Sequence, residues 1–123
     1  MAKVMIVDDS ETLRNSLLKL LTGAGLEVVE AADGAKGVAL WGVHGQDVAL
    51  INTDYNMPEM DGITMVKKIR ALPKGAEVAV FMLTTESSPD LKASGKEVGV
   101  KAWVTKPFND EKLVGAVKKM LGV

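Results

Sequence analysis

The sequence has 123 residues, 47% of them hydrophobic, enough to bury one core without disulfide or metal staples, and a single domain over residues 1–123 is expected. Its 15 basic and 16 acidic side chains leave a formal net charge of -1, which argues against nucleic-acid or membrane-surface binding. Cysteine is absent, no apolar run approaches the roughly 18–20 residues of a membrane span, and Asp8 and Asp9 interrupt the first apolar stretch too early for a signal peptide, so a cytoplasmic protein without disulfide or thiolate chemistry is expected.

Residues 4–7 form a short continuous apolar run, the pattern of a strand buried on both faces, and the run stops at Asp8-Asp9-Ser10. Leu13, Leu17, Leu20 and Leu21 then recur at helical spacing, with Asp9 or Ser10 as a cap and Gly23 or Gly25 as a terminator. Residues 26–31 read as a weaker strand. Asp33-Gly34 turns the chain into a segment carrying Val38, Leu40, Trp41 and Val43, where Gly37 and Gly42 weaken the case for a helix.

Residues 48–51 are again a buried strand, and the segment after it cannot continue the strand because Pro58 lacks an amide donor and Gly62 punctuates. Asp54 is therefore predicted at a strand's carboxyl end, facing a loop. Ile63, Met65, Val66, Ile69 and Leu72 mark a third helix closed by Pro73-Lys74-Gly75, with Lys67, Lys68 and Arg70 expected to face water. Residues 78–83 are the strongest buried strand and deliver Thr84-Thr85-Glu86 to its end. Ser88-Pro89 caps and starts a helix over 89–98 that holds Gly95 and few apolar anchors, so it is expected to be the most mobile element. Residues 100–105 form the last strand, ending at Lys106-Pro107. Asn109 caps a final helix with Leu113, Val117, Met120 and Leu121 on one face, acids Asp110 and Glu111 in its first turn, and Lys118 and Lys119 near its end. The seven methionines read mostly as core filler.

Strand and helix alternate five times with short connections, which predicts a flavodoxin-like α/β fold: a doubly wound parallel five-stranded sheet of order 2-1-3-4-5 with helices on both faces. That order sets strands one and three side by side at the switch point, so Asp8 and Asp9 would adjoin Asp54, with Thr84 and Lys106 ending strands four and five on the same edge. Singly, each has a plain structural explanation as a helix cap, a loop threonine or a rim lysine. Together they make a site. Crowded carboxylates repel, by about 4 kcal/mol for a pair about 4 Å apart at an intermediate effective dielectric, unless a cation intervenes. A hard divalent ion such as Mg2+ suits an all-oxygen cluster that leaves room for a phosphate oxygen. With the charge neutralised, Asp54 can act as a nucleophile on phosphorus and form an acyl phosphate, Lys106 holding one phosphoryl oxygen and the Thr84 hydroxyl another.

The Asp8-Asp9 pair, Asp54 followed by Met57-Pro58 and Asp61-Gly62, Thr84, and Lys106-Pro107-Phe108 stand in the order found in receiver domains of two-component response regulators. The chain resembles that family over essentially its whole length, and within it the single-domain chemotaxis regulators. The resemblance implies Asp54 as the phosphorylation site, charged by a CheA-like sensor histidine kinase. It implies Mg2+ held by Asp9, Asp54 and the backbone carbonyl of Asn56, with Asp8 a ligand through water. Asn56 and Glu86 match positions that tune phosphoryl loss, and Thr84 and Trp103 match the switch pair. Output through helix four, strand five and helix five to a flagellar motor switch protein, a phosphatase as a further partner, and a monomeric state are implied in the same way.

Trp103 departs from the family, which has tyrosine or phenylalanine there, and two placements are open: an indole that rotates inward when Thr84 moves, or one that packs on the last helix. His44 reads as a helix-end residue, since the family's phosphoryl donor histidine belongs to the kinase. A phosphorelay intermediate or phosphate sink would share every site residue. An aspartyl-phosphate phosphatase would carry a second acid where Asn56 stands, and a flavin-binding protein would set three acids beside a cofactor phosphate. Chemistry confined to the protein's own phosphorylation and dephosphorylation is therefore expected.

Overall fold

The computed structural model describes residues 2–123. Strands β1 (Lys3–Val7), β2 (Glu27–Ala31), β3 (Val48–Thr53), β4 (Ala79–Thr84) and β5 (Val100–Thr105) alternate with helices α1 (Glu11–Gly23), α2 (Gly34–His44), α3 (Gly62–Arg70), α4 (Pro89–Glu97) and α5 (Asp110–Leu121). All pairings are parallel, in the predicted order β2-β1-β3-β4-β5. The apolar runs are continuous because both sheet faces are covered. Val4, Ile6, Leu50, Phe81 and Leu83 meet Leu17 and Leu21 of α1 and Leu113 and Val117 of α5. Met5, Val7, Ile51 and Val80 meet Trp41 of α2 and Met65, Val66 and Ile69 of α3. Each such side chain, fully buried, contributes about 1.5–3 kcal/mol. No helix among the described residues is long and apolar enough to cross a membrane.

Every helix starts on a side chain that accepts a backbone N–H of its own first turn: Ser10 from Leu13, Asp33 from Lys36, Asp61 from Thr64, Ser88 from Leu91 and Asn109 from Lys112. Of the two candidates before α1, Ser10 is the cap and Asp9 is left free. Helix α2 forms in spite of its glycines because packing outweighs propensity. A Cβ on Gly37 would come within 2.7 Å of Met65 Sδ and 3.3 Å of Val7 Cγ2, so the bare backbone lets α2 close on α3 and β1.

Two expectations need correction. Met120 is 41% exposed rather than part of the α5 core face, whereas Met5, Met65 and Met82 are fully buried as expected. Arg70 does not simply face water as Lys67 and Lys68 do. Helix α3 ends there, and the side chain reaches under the amino-terminal edge of the sheet, where loop carbonyls have no strand partner. Its Nε donates to Val98 O at 3.0 Å, and its Nη1 donates to Gly75 O at 2.9 Å and Val78 O at 2.6 Å. One guanidinium thus ties the end of α3 to the entries of β4 and β5. Arg70→Ala is expected to destabilise the fold by about 2–3 kcal/mol, since it strips donors from partly buried carbonyls. Arg70→Lys should recover only part, lacking the fork of donors. Urea unfolding measures both, and an unchanged midpoint for Arg70→Ala contradicts the clamp.

Candidate functional site

The site is assembled at the carboxyl edge by register. Val7 pairs with Thr53, so the residues that follow, Asp8 and Asp54, leave the sheet side by side, and the Asp54 N–H donates to Val7 O at 2.9 Å. Asp8 is 1% exposed and Asp54 9%. Lys106 follows β5, anchored by its N–H to Thr84 O at 2.9 Å and continued by a cis peptide to Pro107. Its ammonium crosses the edge to donate to Asp8 Oδ2 at 3.0 Å and Asp54 Oδ2 at 3.2 Å. The remaining oxygens are also held: Asp8 Oδ1 accepts from Ser10 N at 2.9 Å, and Asp54 Oδ1 accepts from Tyr55 N at 2.7 Å.

Asp9 is exposed at the mouth, and Asp8, Asp9 and Asp54 each offer a carboxylate oxygen within 4.8 Å of the others. Three carboxylates face one ammonium, so the cluster carries excess negative charge on hard oxygen donors, which fits Mg2+. Burial pushes the Asp8 carboxyl above the usual carboxylate range, opposed by the Ser10 N–H and by Lys106. A raised folded-state value means that Asp8 holds its proton more readily when folded. Its contribution to stability is present in acid and is lost as pH rises through that raised range, where a bound cation would compensate.

The rim is a connected set centred on Glu86. Its carboxylate accepts from Asn56 Nδ2 at 2.7 Å, its N–H donates to the Thr84 hydroxyl oxygen at 3.3 Å, and its carbonyl accepts from Trp103 Nε1 at 2.7 Å. Every residue predicted for the site, Asp8, Asp9, Asp54, Asn56, Thr84, Glu86, Trp103 and Lys106, therefore lies on this edge or is bonded into its rim. The Trp103 ring lies against α4, where a Cβ on Gly95 would meet its Cζ3 at 3.0 Å. Burial, then the charges of Asp61 and Glu86, pushes the neighbouring Tyr55 phenol up.

Two participants were not foreseen. Arg14 donates from Nη1 to the Asp8 carbonyl at 2.9 Å and from Nε to Glu30 at 3.0 Å, fixing the turn that carries Asp8; one arginine in an amphipathic helix gives no sequence signal for this. Asn52 is buried in β3 two residues before Asp54, and its signal was a polar residue ending an apolar run.

The model of the response regulator receiver domain family matches residues 4–118. A chemotaxis protein CheY homolog of Campylobacter jejuni is 35% identical over 122 residues, 98% of this chain and 92% of that protein. Among solved structures, chemotaxis protein CheY4 of Vibrio cholerae superposes with a TM-score of 0.89 at 40% identity over 98% of both chains. The CheX–CheY–beryllofluoride–magnesium complex of Borrelia burgdorferi gives a TM-score of 0.88 at 27% identity, over 98% of this chain and 89% of that one.

Proposed function

The chain belongs to the response regulator receiver family, and on that premise we propose that it is a phosphorylation-activated chemotaxis regulator whose phosphoacceptor is Asp54. The observation that carries this reading is the Lys106 ammonium held between Asp8 and Asp54 at 3.0 and 3.2 Å. The donor is a phosphohistidine of a sensor histidine kinase. An Asp54 carboxylate oxygen attacks phosphorus, the P–O bond forms as the P–N bond breaks, and the imidazole nitrogen keeps the electron pair and takes up a proton. Lys106, freed from Asp54 as its charge is spent, turns its N–H donors to the phosphoryl oxygens. Asp9, Asp54 and the Asn56 carbonyl, with Asp8 through water, are the residues that would hold Mg2+. The ion supplies neutralisation of carboxylate and phosphoryl charge. The protein turns over no separate substrate, and its chemistry is gaining and losing its own phosphoryl group.

Thr84 already spends one lone pair on the Glu86 N–H, while its hydroxyl proton is free to meet a phosphoryl oxygen. That pull acts on Glu86, and hence on Trp103 through the Glu86 carbonyl and on Asn56 through the Glu86 carboxylate. Population shift between two arrangements of this rim would then reshape the surface of α4, β5 and α5. In a Trp41→Phe background, Trp103 emission is expected to change on addition of Mg2+ and beryllofluoride, and an unchanged spectrum overturns the switch.

As a receiver domain over residues 1–123, monomeric and cytoplasmic, the protein would act by contact. A flagellar motor switch protein is the proposed target, with a phosphatase as a second partner. Titrating the beryllofluoride-loaded protein against the switch protein of its own species should show at least about tenfold tighter binding than the untreated form. Equal affinity, with preference instead for phosphotransfer proteins, would make the chain a relay intermediate or phosphate sink.

A further inference from the structure

Strand β3 carries one side chain that the phosphoacceptor reading leaves unexplained. Asn52 is 1% exposed, and neither its Nδ2 nor its Oδ1 has a hydrogen-bond partner among the described residues. An unpaired buried carboxamide costs stability, so an asparagine where leucine would pack calls for something that it binds. Its direction follows from register. Asn52 pairs with Ile6 of β1 and Phe81 of β4, and both face the layer of α1 and α5. One pleat nearer the carboxyl edge, the same face carries Asp54, with Asp8 beside it. The carboxamide lies on the floor of the acidic site, behind the two carboxylates.

Lys106 has the complementary need. Its ammonium has three N–H donors, and Asp8 and Asp54 take two of them. A pleat advances about 7 Å along a strand, longer than one hydrogen bond and comparable to two in series through a water. We propose that Asn52 is a positioning residue of the phosphoacceptor site, holding the Lys106 ammonium between Asp8 and Asp54 through an internal water that bridges the carboxamide to the third N–H. The proposal rests on the reading of Asp54 as acceptor and deepens it. Asn52 meets neither the phosphoryl group nor a metal, and acts only through Lys106.

The test uses the full chain with Asn52→Leu, nearly isosteric and apolar, and Asn52→Ser, which keeps a hydroxyl and leaves space for water. Three quantities are read: the thermal midpoint, the rate of Asp54 labelling by acetyl phosphate, and the 1H–15N signal of the Lys106 ammonium, visible only when its protons are held. Asn52→Leu is expected to be at least as heat-stable as the unsubstituted protein, to label about tenfold more slowly, as for one charge-assisted hydrogen bond, and to lose the ammonium signal. Asn52→Ser should restore most of both. A folded Asn52→Leu protein with unchanged labelling and an unchanged ammonium signal overturns the role of Asn52. If the leucine variant does not fold, the unsubstituted protein decides: a nuclear Overhauser contact between the Asn52 amide protons and water supports the bridge, and its absence overturns it. Failure of the unsubstituted protein to label at Asp54 would instead remove the reading on which the proposal rests.

Discussion

Asp54→Asn is expected to abolish phosphoryl uptake from acetyl phosphate and from the kinase while leaving the protein folded. The carboxamide oxygen can still accept the Tyr55 N–H now bonded to Asp54 Oδ1. What disappears is the nucleophilic oxygen, since an amide presents no anionic lone pair at phosphorus. The amide also turns N–H donors toward a Lys106 that needs an acceptor, so the ammonium keeps only Asp8 of its two present partners. Losing one partner and losing one repelling carboxylate oppose each other, and the stability change should stay within about 1 kcal/mol. Uptake followed by intact-protein mass spectrometry reads the first effect and urea unfolding the second. Residual labelling above background would place the acceptor elsewhere.

Gly62→Ala should have the next largest effect, acting on both the fold and the site. A Cβ at position 62 would overlap the Asp54 carbonyl oxygen and meet Met82 Sδ at 3.1 Å. The Gly62 N–H also donates to Tyr55 O at 2.8 Å, so the first residue of α3 is pinned to the backbone that carries the acceptor. The Met82 thioether can swing aside but the Asp54 carbonyl is backbone, so the start of α3 must move away from Asp54. A cost of about 3 kcal/mol in stability is expected, as for an overpacked core position. A displacement on the order of 1 Å at the acceptor is expected to lower the labelling rate about 10²-fold. Gly115→Ala on α5 is the control: no atom lies within 4 Å of its Cβ, so it should be neutral or stabilise by up to about 1 kcal/mol. Equal behaviour of the two substitutions would show that the contact at Gly62 is unimportant.

What could be read from the sequence were features written locally. The apolar runs of β1, β3 and β4 are continuous because both sheet faces are buried, and each ends at a polar residue that becomes part of the site edge. The caps Ser88 and Asn109 mark their helices for the same local reason, whereas Asp33 and Asp61 read only as turn and motif residues. Bringing Asp8 to Asp54 needed only the strand order, and of the two common doubly wound orders the one that suits five strands sets β1 beside β3. Arg70 was misread because its partners are backbone carbonyls at positions 75, 78, 98 and 99, which carry no side-chain signature. Arg14 escaped for the same reason, since it holds the Asp8 carbonyl. The indole of Trp103 illustrates a third kind of gap: its place against α4 depends on Gly95, eight residues earlier, and on the Glu86 carbonyl across the next strand end.

The most direct test is the position of the phosphoryl group itself. The unsubstituted protein is incubated with acetyl phosphate with and without Mg2+, the acyl phosphate is reduced with borohydride, and the modified residue is located by peptide mass spectrometry. One group on Asp54, appearing only with Mg2+, is the predicted result. Modification at Asp8 or Asp9, or labelling of Asp54 that is indifferent to Mg2+, would contradict the assignment of acceptor and metal ligands.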